Sequence, residues 1–408
     1  MLYETYQAQS DALAPIRFLA QNLRGMLSQP WPIFAYHPLV RGAAAACEMV
    51  ARAGMGHERP PFGIKSVAIA GKTVAVSEAV VARHPFCTLL HFKKEEVAHP
   101  GPRVLVVAPL SGHFATLLRG TVETLLQDHD VYVTDWANAR NVPMLYGRFD
   151  LDDHIDLMIA YMRELAPDLH VVAVCQPSVP VLAAVALMAA DRDPDQPSSM
   201  TLMGGPIDTR VNPTAVNRLA TTRSLAWFER HVVAAVPARY PGAFRRVYPG
   251  FIQLAGFMTM NLDRHVTAHV DLFRHLVEGD GESALATKKF YDEYMSVMDL
   301  SADFYLQTVK RVFQDHALPL GQFVSRARKV EPKAIARTAL LTVEGENDDI
   351  CAVGQTSAAH ALLTGLKSGR KKRYVQPKVG HYGVFNGRRW REEIYPQMRD
   401  FIRAHGSI

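Results

Sequence analysis

Apolar and polar positions change their period twice along the chain. Up to about Gly54 they fall at helical spacing, with Ile16, Leu19, Leu23 and Met26 on one stripe. The AAAACEMVARAG run from Ala43 forms a second helix closed by glycine. Between them, prolines keep PWPIFAYHP from being helical, and it gathers Trp31, Phe34 and Tyr36. We expect a helical extension over residues 1–60 that packs on the main domain or meets an apolar partner through these aromatic residues.

After the proline- and glycine-rich GHERPPFGIK the period shortens to two. SVAIAGKTVAVSEAVVARH and FCTLLHFKK read as paired antiparallel strands, and RVLVVAP from Arg103 as a buried parallel strand. A helix from about Phe114 to Leu126, the strand DVYVTDW from Asp130 and a helix from about Asp152 to Leu165 follow. Then come the strand LHVVAV from Leu169, the helical VPVLAAVALMAA from Val179 and the strand SMTLMGGP from Ser199. This alternation predicts a mostly parallel sheet covered by helices on both faces. From about Asn212 to Arg328 the strand signals stop, and aromatic and methionine residues crowd a run of helices that reads as a cap. RTALLTVEGE from Arg337 and KKRYVQPKVGH from Lys371 resume the sheet. The expected plan is a core in two parts, 61–211 and 331–408, with a helical cap over 212–330 between them.

Composition narrows the function. A chain of 408 residues, 48% apolar and 21% charged, can bury a large core. A formal charge of +5 is too mild to mark a nucleic-acid binder. The basic run Lys367, Arg370, Lys371, Lys372 and Arg373 leads into a strand and reads as a solvated loop rather than a polyanion site. Cys47, Cys87, Cys175 and Cys351 show no Cys-x-x-Cys spacing, so neither a metal site nor a disulfide framework is expected, and a reducing compartment fits. The opening MLYETYQAQSDALAPIRFLAQ lacks the apolar core of a secretory signal, and no apolar run of about 18 residues is present to span a membrane. The expected location is the cytoplasm.

Cys175 stands where the strand from Leu169 runs into the helix from Val179, the place where an α/β-hydrolase fold presents its nucleophile. A thiol nucleophile needs a base and an orienting acid, which in that fold follow in the order nucleophile, acid, histidine. The loop GENDDI after one later strand offers Asp348 and Asp349, and PKVGHYGVF after the next offers His381. The spacing to Gly345 favours Asp348, and Gly380 and Gly383 suit a tight loop around His381. All three residues fall at the carboxyl ends of parallel strands and are expected to converge. Ser178 is the rival nucleophile, but it falls inside the first helical turn and no Gly-x-Ser-x-Gly occurs. Backbone N–H groups of Gln176 and of Leu110 or Ser111 are the expected oxyanion donors, with Gly112 allowing close approach. His113 in the same loop is a candidate second functional histidine, with stabilising that loop the favoured role. Acyl transfer by this triad requires no metal and no cofactor.

The elbow VVAVCQPSVP, the loops VEGENDDICAVGQT and VGHYGVFNGRRW, and the segments LMGGPIDTR and DWANAR together resemble intracellular poly(3-hydroxybutyrate) depolymerases, which are similar to polyhydroxyalkanoate synthases. The resemblance spans nearly the whole chain. It implies Cys175 as nucleophile, Asp348 as orienting acid, His381 as base, and a polyester storage granule as partner. The synthases carry Gly-x-Cys-x-Gly, whereas this chain has Ala173 and Pro177 at those places, which weighs toward breakdown of the polymer. A synthase-like acyltransferase and a non-catalytic granule-coat protein are the competing readings. Water and coenzyme A both stay open as acyl acceptor, as does assembly into a homo-oligomer.

Overall fold

In the computed structural model, residues 2–28, 37–260 and 262–406 are described, so Trp31, Phe34 and Tyr36 lie outside the described residues. Helix α1 (Leu2–Leu27) packs along α2 (Pro38–Ala51). One end of α1 is seated: Tyr3 is buried, and the Tyr6 ring stacks on Phe251 at 3.8 Å between centroids. The stripe is not. Ile16, Leu19, Leu23 and Met26 are 54%, 59%, 42% and 69% exposed, so the helical period there marks an apolar face turned to solvent.

Nine strands form the central sheet: β1 (Ser66–Ile69), β2 (Lys72–His84), β3 (Cys87–Lys94), β4 (Arg103–Val107), β5 (Asp130–Trp136), β6 (Leu169–Val174), β7 (Ser199–Met203), β8 (Ala339–Gly345) and β9 (Lys371–Gln376). Their spatial order is β1-β2-β3-β5-β4-β6-β7-β8-β9. Pairing is antiparallel from β1 through β3 to β5, and parallel from β5 onward. Every residue of β6, β7 and β8 is buried, which is why these strands read as unbroken apolar runs rather than as alternations. β2, mostly exposed, keeps the polar alternation of a peripheral antiparallel strand.

Between β4 and β7 lie α3 (Arg119–Leu125), α4 (Leu151–Leu165) and α5 (Ser178–Ala190). The helix expected from about Phe114 opens instead as a 3-10 turn over Ala115–Leu118, a tightened first turn ahead of α3. In α5 every residue from Ser178 to Met188 is buried, so the helix is apolar all round instead of amphipathic. β7 and β8 are separated by a long insertion containing α6 (Ala215–Thr222), α7 (Leu225–His231), α8 (Gly250–Met260), α9 (Leu262–Glu278), α10 (Gly281–Tyr294) and α11 (Ala302–Thr308). It also holds three short paired strands, Ala234–Ala235, Arg246–Tyr248 and Leu300–Ser301, and the pair Val324–Ser325 with Arg328–Lys329. The sequence reading missed these because two or three residues carry no legible period of two. No helix among the described residues is long and apolar enough to cross a membrane.

Candidate active site

β6 ends at Val174 and hands the chain to Cys175, whose φ is +66°. A non-glycine residue holds that left-handed conformation only where its surroundings fix it. They do so here: Cys175 N–H donates to the Met203 carbonyl at 2.7 Å, and the Cys175 carbonyl accepts from Ser178 N–H at 3.1 Å. Ala173 and Pro177 replace the expected flanking glycines, and the room comes from the neighbouring strand. A Cβ on Gly205 would lie 2.0 Å from Ser178 Oγ and 2.9 Å from the Cys175 carbonyl, and one on Gly204 (φ +56°) would lie 3.2 Å from His381 Cε1. Ser178 is wholly buried in the first turn of α5, directed at Gly205 and away from the role of nucleophile.

The loops after β8 and β9 bring Asp348 and His381 together. His381 Nδ1 lies 2.7 Å from Asp348 Oδ2, with both side chains buried. The other carboxylate oxygen, Oδ1, accepts from the N–H groups of Ile350 and Cys351 at 2.9 and 2.8 Å, so Asp348 is aimed by its own loop. Asp349 is exposed. Burial works against a charged His381. The Asp348 carboxylate beside Nδ1, joined by the charge and hydrogen bonding of Cys175, outweighs it and holds the imidazole well above its ordinary value. Cys175, Asp348 and His381 therefore meet at the carboxyl edge of the sheet, where open α/β sheets place their ligands.

Glu344, which sequence reasoning passed over, fastens the acid loop. Its buried Oε1 accepts from Gly354, Thr356 and Ser357 N–H groups at 2.8 to 3.0 Å. Thr356 Oγ1 in turn accepts from Gly205 N–H at 2.8 Å, tying this loop to the glycine pair. The GG dipeptide of LMGGP was the available signal for that close approach. Cys351 shares the cavity but is fully buried, and burial pushes its thiol well up, which makes it an inert neighbour.

Leu110 and Ser111 follow β4 and border the same cavity as Cys175 and Gln176. The N–H groups of Leu110, Ser111 and Gln176 donate to no protein acceptor among the described residues. The insertion grips this loop from above. Gln253 Nε2 on α8 bonds to the Ser111 carbonyl, Met298 N–H donates to the Gly112 carbonyl at 2.8 Å, and His113 pairs with Val297 as an antiparallel bridge. His113 Nε2 donates to the Tyr294 carbonyl at 3.1 Å, and burial pulls its imidazole down to about 4, so it stays neutral and holds the loop. Gly112 holds φ +98°, a backbone conformation that a residue with a Cβ adopts only under strain. The cavity itself has a volume of ≈ 450 Å³ and mostly apolar walls, including Phe257, Phe304 and Phe313.

The sheet order and the strand-to-helix elbow at Cys175 define an α/β-hydrolase fold. Residues 204–406 match the family described as PHB de-polymerase C-terminus. Over this C-terminal half the chain belongs to the PHB depolymerase family. The stretch shared with this family begins at Gly204 and takes in the insertion, Asp348 and His381, while Cys175 precedes it. Among solved structures the chain is similar to the α/β hydrolase GrgF from Penicillium sp. sh18, at 16% identity over 82% of this chain and 99% of that one, with a TM-score of 0.45. It is also similar to a meta-cleavage product hydrolase from Pseudomonas fluorescens IP01, at 14% identity over 83% and 97% of the two chains and a TM-score of 0.44. A third is 2-hydroxy-6-oxo-6-phenylhexa-2,4-dienoate hydrolase from Rhodococcus sp. strain RHA1, at 12% identity, 81% and 100% coverage and a TM-score of 0.43. Comparison with curated proteins finds no match.

Proposed function

We propose that the chain is an ester hydrolase that cleaves poly(3-hydroxybutyrate) through a cysteine acyl-enzyme. The observation that carries this reading is the buried His381–Asp348 pair beside a thiol at a strand-to-helix elbow, with Cys175 and His381 both lining an apolar cavity. His381 takes the thiol proton, and the thiolate adds to the ester carbonyl. The Gln176 N–H, with that of Leu110 or Ser111, holds the oxyanion. Collapse of the tetrahedral species breaks the C–O bond, and the imidazolium returns its proton to the departing alkoxide. A hydroxyacyl thioester remains on Cys175. Water, deprotonated by His381, adds to it, and collapse releases the free acid and restores the thiol.

Coenzyme A is the alternative acceptor in the second half of this cycle, since thioesters exchange readily with thiols. The exposed face of α1 supports a seat on the polymer granule in the cytoplasm, with its bare apolar side chains meeting an apolar surface. The deciding experiment incubates amorphous polymer granules with the wild type, Cys175→Ala and Cys175→Ser, and measures released acid with and without coenzyme A. Release at the wild-type rate by Cys175→Ala rejects the mechanism, and product appearing as an acyl-coenzyme A only when coenzyme A is added reassigns the acceptor.

A further inference from the structure

The cavity beside Cys175 is walled chiefly by hydrocarbon, yet three hydroxyl-bearing side chains line it without a partner for their oxygens among the described residues. Tyr248 ends the short strand Arg246–Tyr248, and Tyr305 sits on α11. Their rings stack at 4.0 Å between centroids and 20° between planes, which holds the two phenols side by side. Thr308 follows one turn later on α11. It is 7% exposed, and its Oγ1 is buried with no hydrogen-bond partner. Neither tyrosine hydroxyl has a hydrogen-bond partner among the described residues. All three residues border the space that Cys175 and His381 border.

The Thr308 hydroxyl, buried without a partner, costs free energy that a ligand supplying an acceptor recovers, and the two half-buried phenols offer further donors once a ligand displaces solvent from them. A plain alkanoyl chain filling this cavity would leave the three donors unsatisfied. A polyester does not, because each repeat unit presents another carbonyl oxygen, an acceptor with no proton of its own. Burial keeps both phenols protonated far above the neutral range, so they stay donors in the presence of the substrate. The walls then take the methyl and methylene groups while the hydroxyls take the oxygens.

We infer that Tyr248, Tyr305 and Thr308 form a subsite that donates hydrogen bonds to the ester carbonyl adjoining the one attacked by Cys175, and so selects esters of repeating hydroxy acids over simple alkanoyl esters. This subsite rests on the hydrolase reading above. Tyrosine-to-phenylalanine changes keep the stacked rings and remove only the donors, which separates recognition from packing.

The test compares kcat/KM of the wild type, Tyr248→Phe, Tyr305→Phe and Thr308→Val on the linear trimer of 3-hydroxybutyrate and on p-nitrophenyl butanoate, which has a single ester. Each loss of a donor is expected to lower the value for the trimer about 5- to 10-fold and to leave that for p-nitrophenyl butanoate within about 2-fold. Equal losses on the two esters, or no loss on the trimer, overturn the subsite while leaving the hydrolase intact. A wild-type enzyme that cleaves neither ester overturns the hydrolase reading, and the subsite with it.

Discussion

The phenol of Tyr3 donates a hydrogen bond of 2.6 Å to Asp299 Oδ2, joining the first turn of α1 to the insertion between β7 and β8. The other oxygen of Asp299 accepts from Gly250 N–H at 3.0 Å, at the start of α8. Burial pushes the Asp299 carboxyl up, and the Tyr3 bond pulls it back down. Tyr3→Phe is expected to destabilise the fold by about 1–3 kcal/mol by leaving a buried acid without this donor. The folded carboxyl lies above its unfolded value and rises further in the variant. Stability is therefore lost as pH climbs from about 3.9 through the folded value, and the deficit is larger at pH 7 than at pH 4. Urea unfolding at the two pH values measures it, and equal deficits would exclude the titration of Asp299 as the cause.

Asp348→Asn removes the charge that outweighs burial at His381. We expect kcat to fall roughly 10³- to 10⁴-fold, as when a triad loses its orienting acid. A histidine held above its ordinary value contributes stability in full below about 6.5, and that contribution disappears as pH rises through the folded value. The loss of thermal stability in the variant should thus be greatest in mildly acidic buffer and shrink toward alkaline pH. The acidic limb of its residual kcat/KM profile, where His381 must lose its proton to act as base, should move to lower pH, and an unmoved limb would mean that another group sets it.

Gly205→Ala places a methyl group 2.0 Å from Ser178 Oγ and 2.9 Å from the Cys175 carbonyl, in a region with no slack. The overpacking should cost about 1–3 kcal/mol, and displacement of the elbow should lower kcat as well. Gly25→Ala is the matching control, because nothing lies within 4 Å of its added Cβ and α1 is exposed there. It is expected to stabilise the helix by about 0.5–1 kcal/mol. Differential scanning calorimetry on both variants decides whether the crowding at Gly205 is real.

Leu19→Asp combined with Met26→Asp puts charge on the exposed face of α1 without touching the cavity. Each apolar side chain that loses contact with a granule forfeits about 1.5–3 kcal/mol. Sedimentation with amorphous polymer should therefore drop by at least about 10-fold while hydrolysis of the soluble trimer is kept. If both decline together, α1 serves the fold and not attachment to the polymer.

Where the chain repeats a simple period, its structure was legible. The unbroken apolar runs at Arg103, Leu169, Ser199 and Arg337 are the buried strands, and the residues at their ends converge as the order of elements implied. Of the adjacent acids, Asp348 is buried against His381 and Asp349 is exposed. Long-range packing was not legible. Nothing local distinguishes an exposed Leu19 from a buried one on the same helical stripe, or announces that Gln253 will close on Ser111, 142 residues away in sequence. The Gly204-Gly205 pair was visible as letters, but its purpose depends on which loops come to lie against it.

The grip of Gln253, Tyr294, Val297 and Met298 on residues 111–113 restricts how this molecule can breathe. Swinging the insertion clear of the sheet would break those links together and release the loop that borders the cavity. A gaping molecule is then a disarmed one. A substrate of the reaction proposed above would then enter beside a seated roof and not beneath a lifted one.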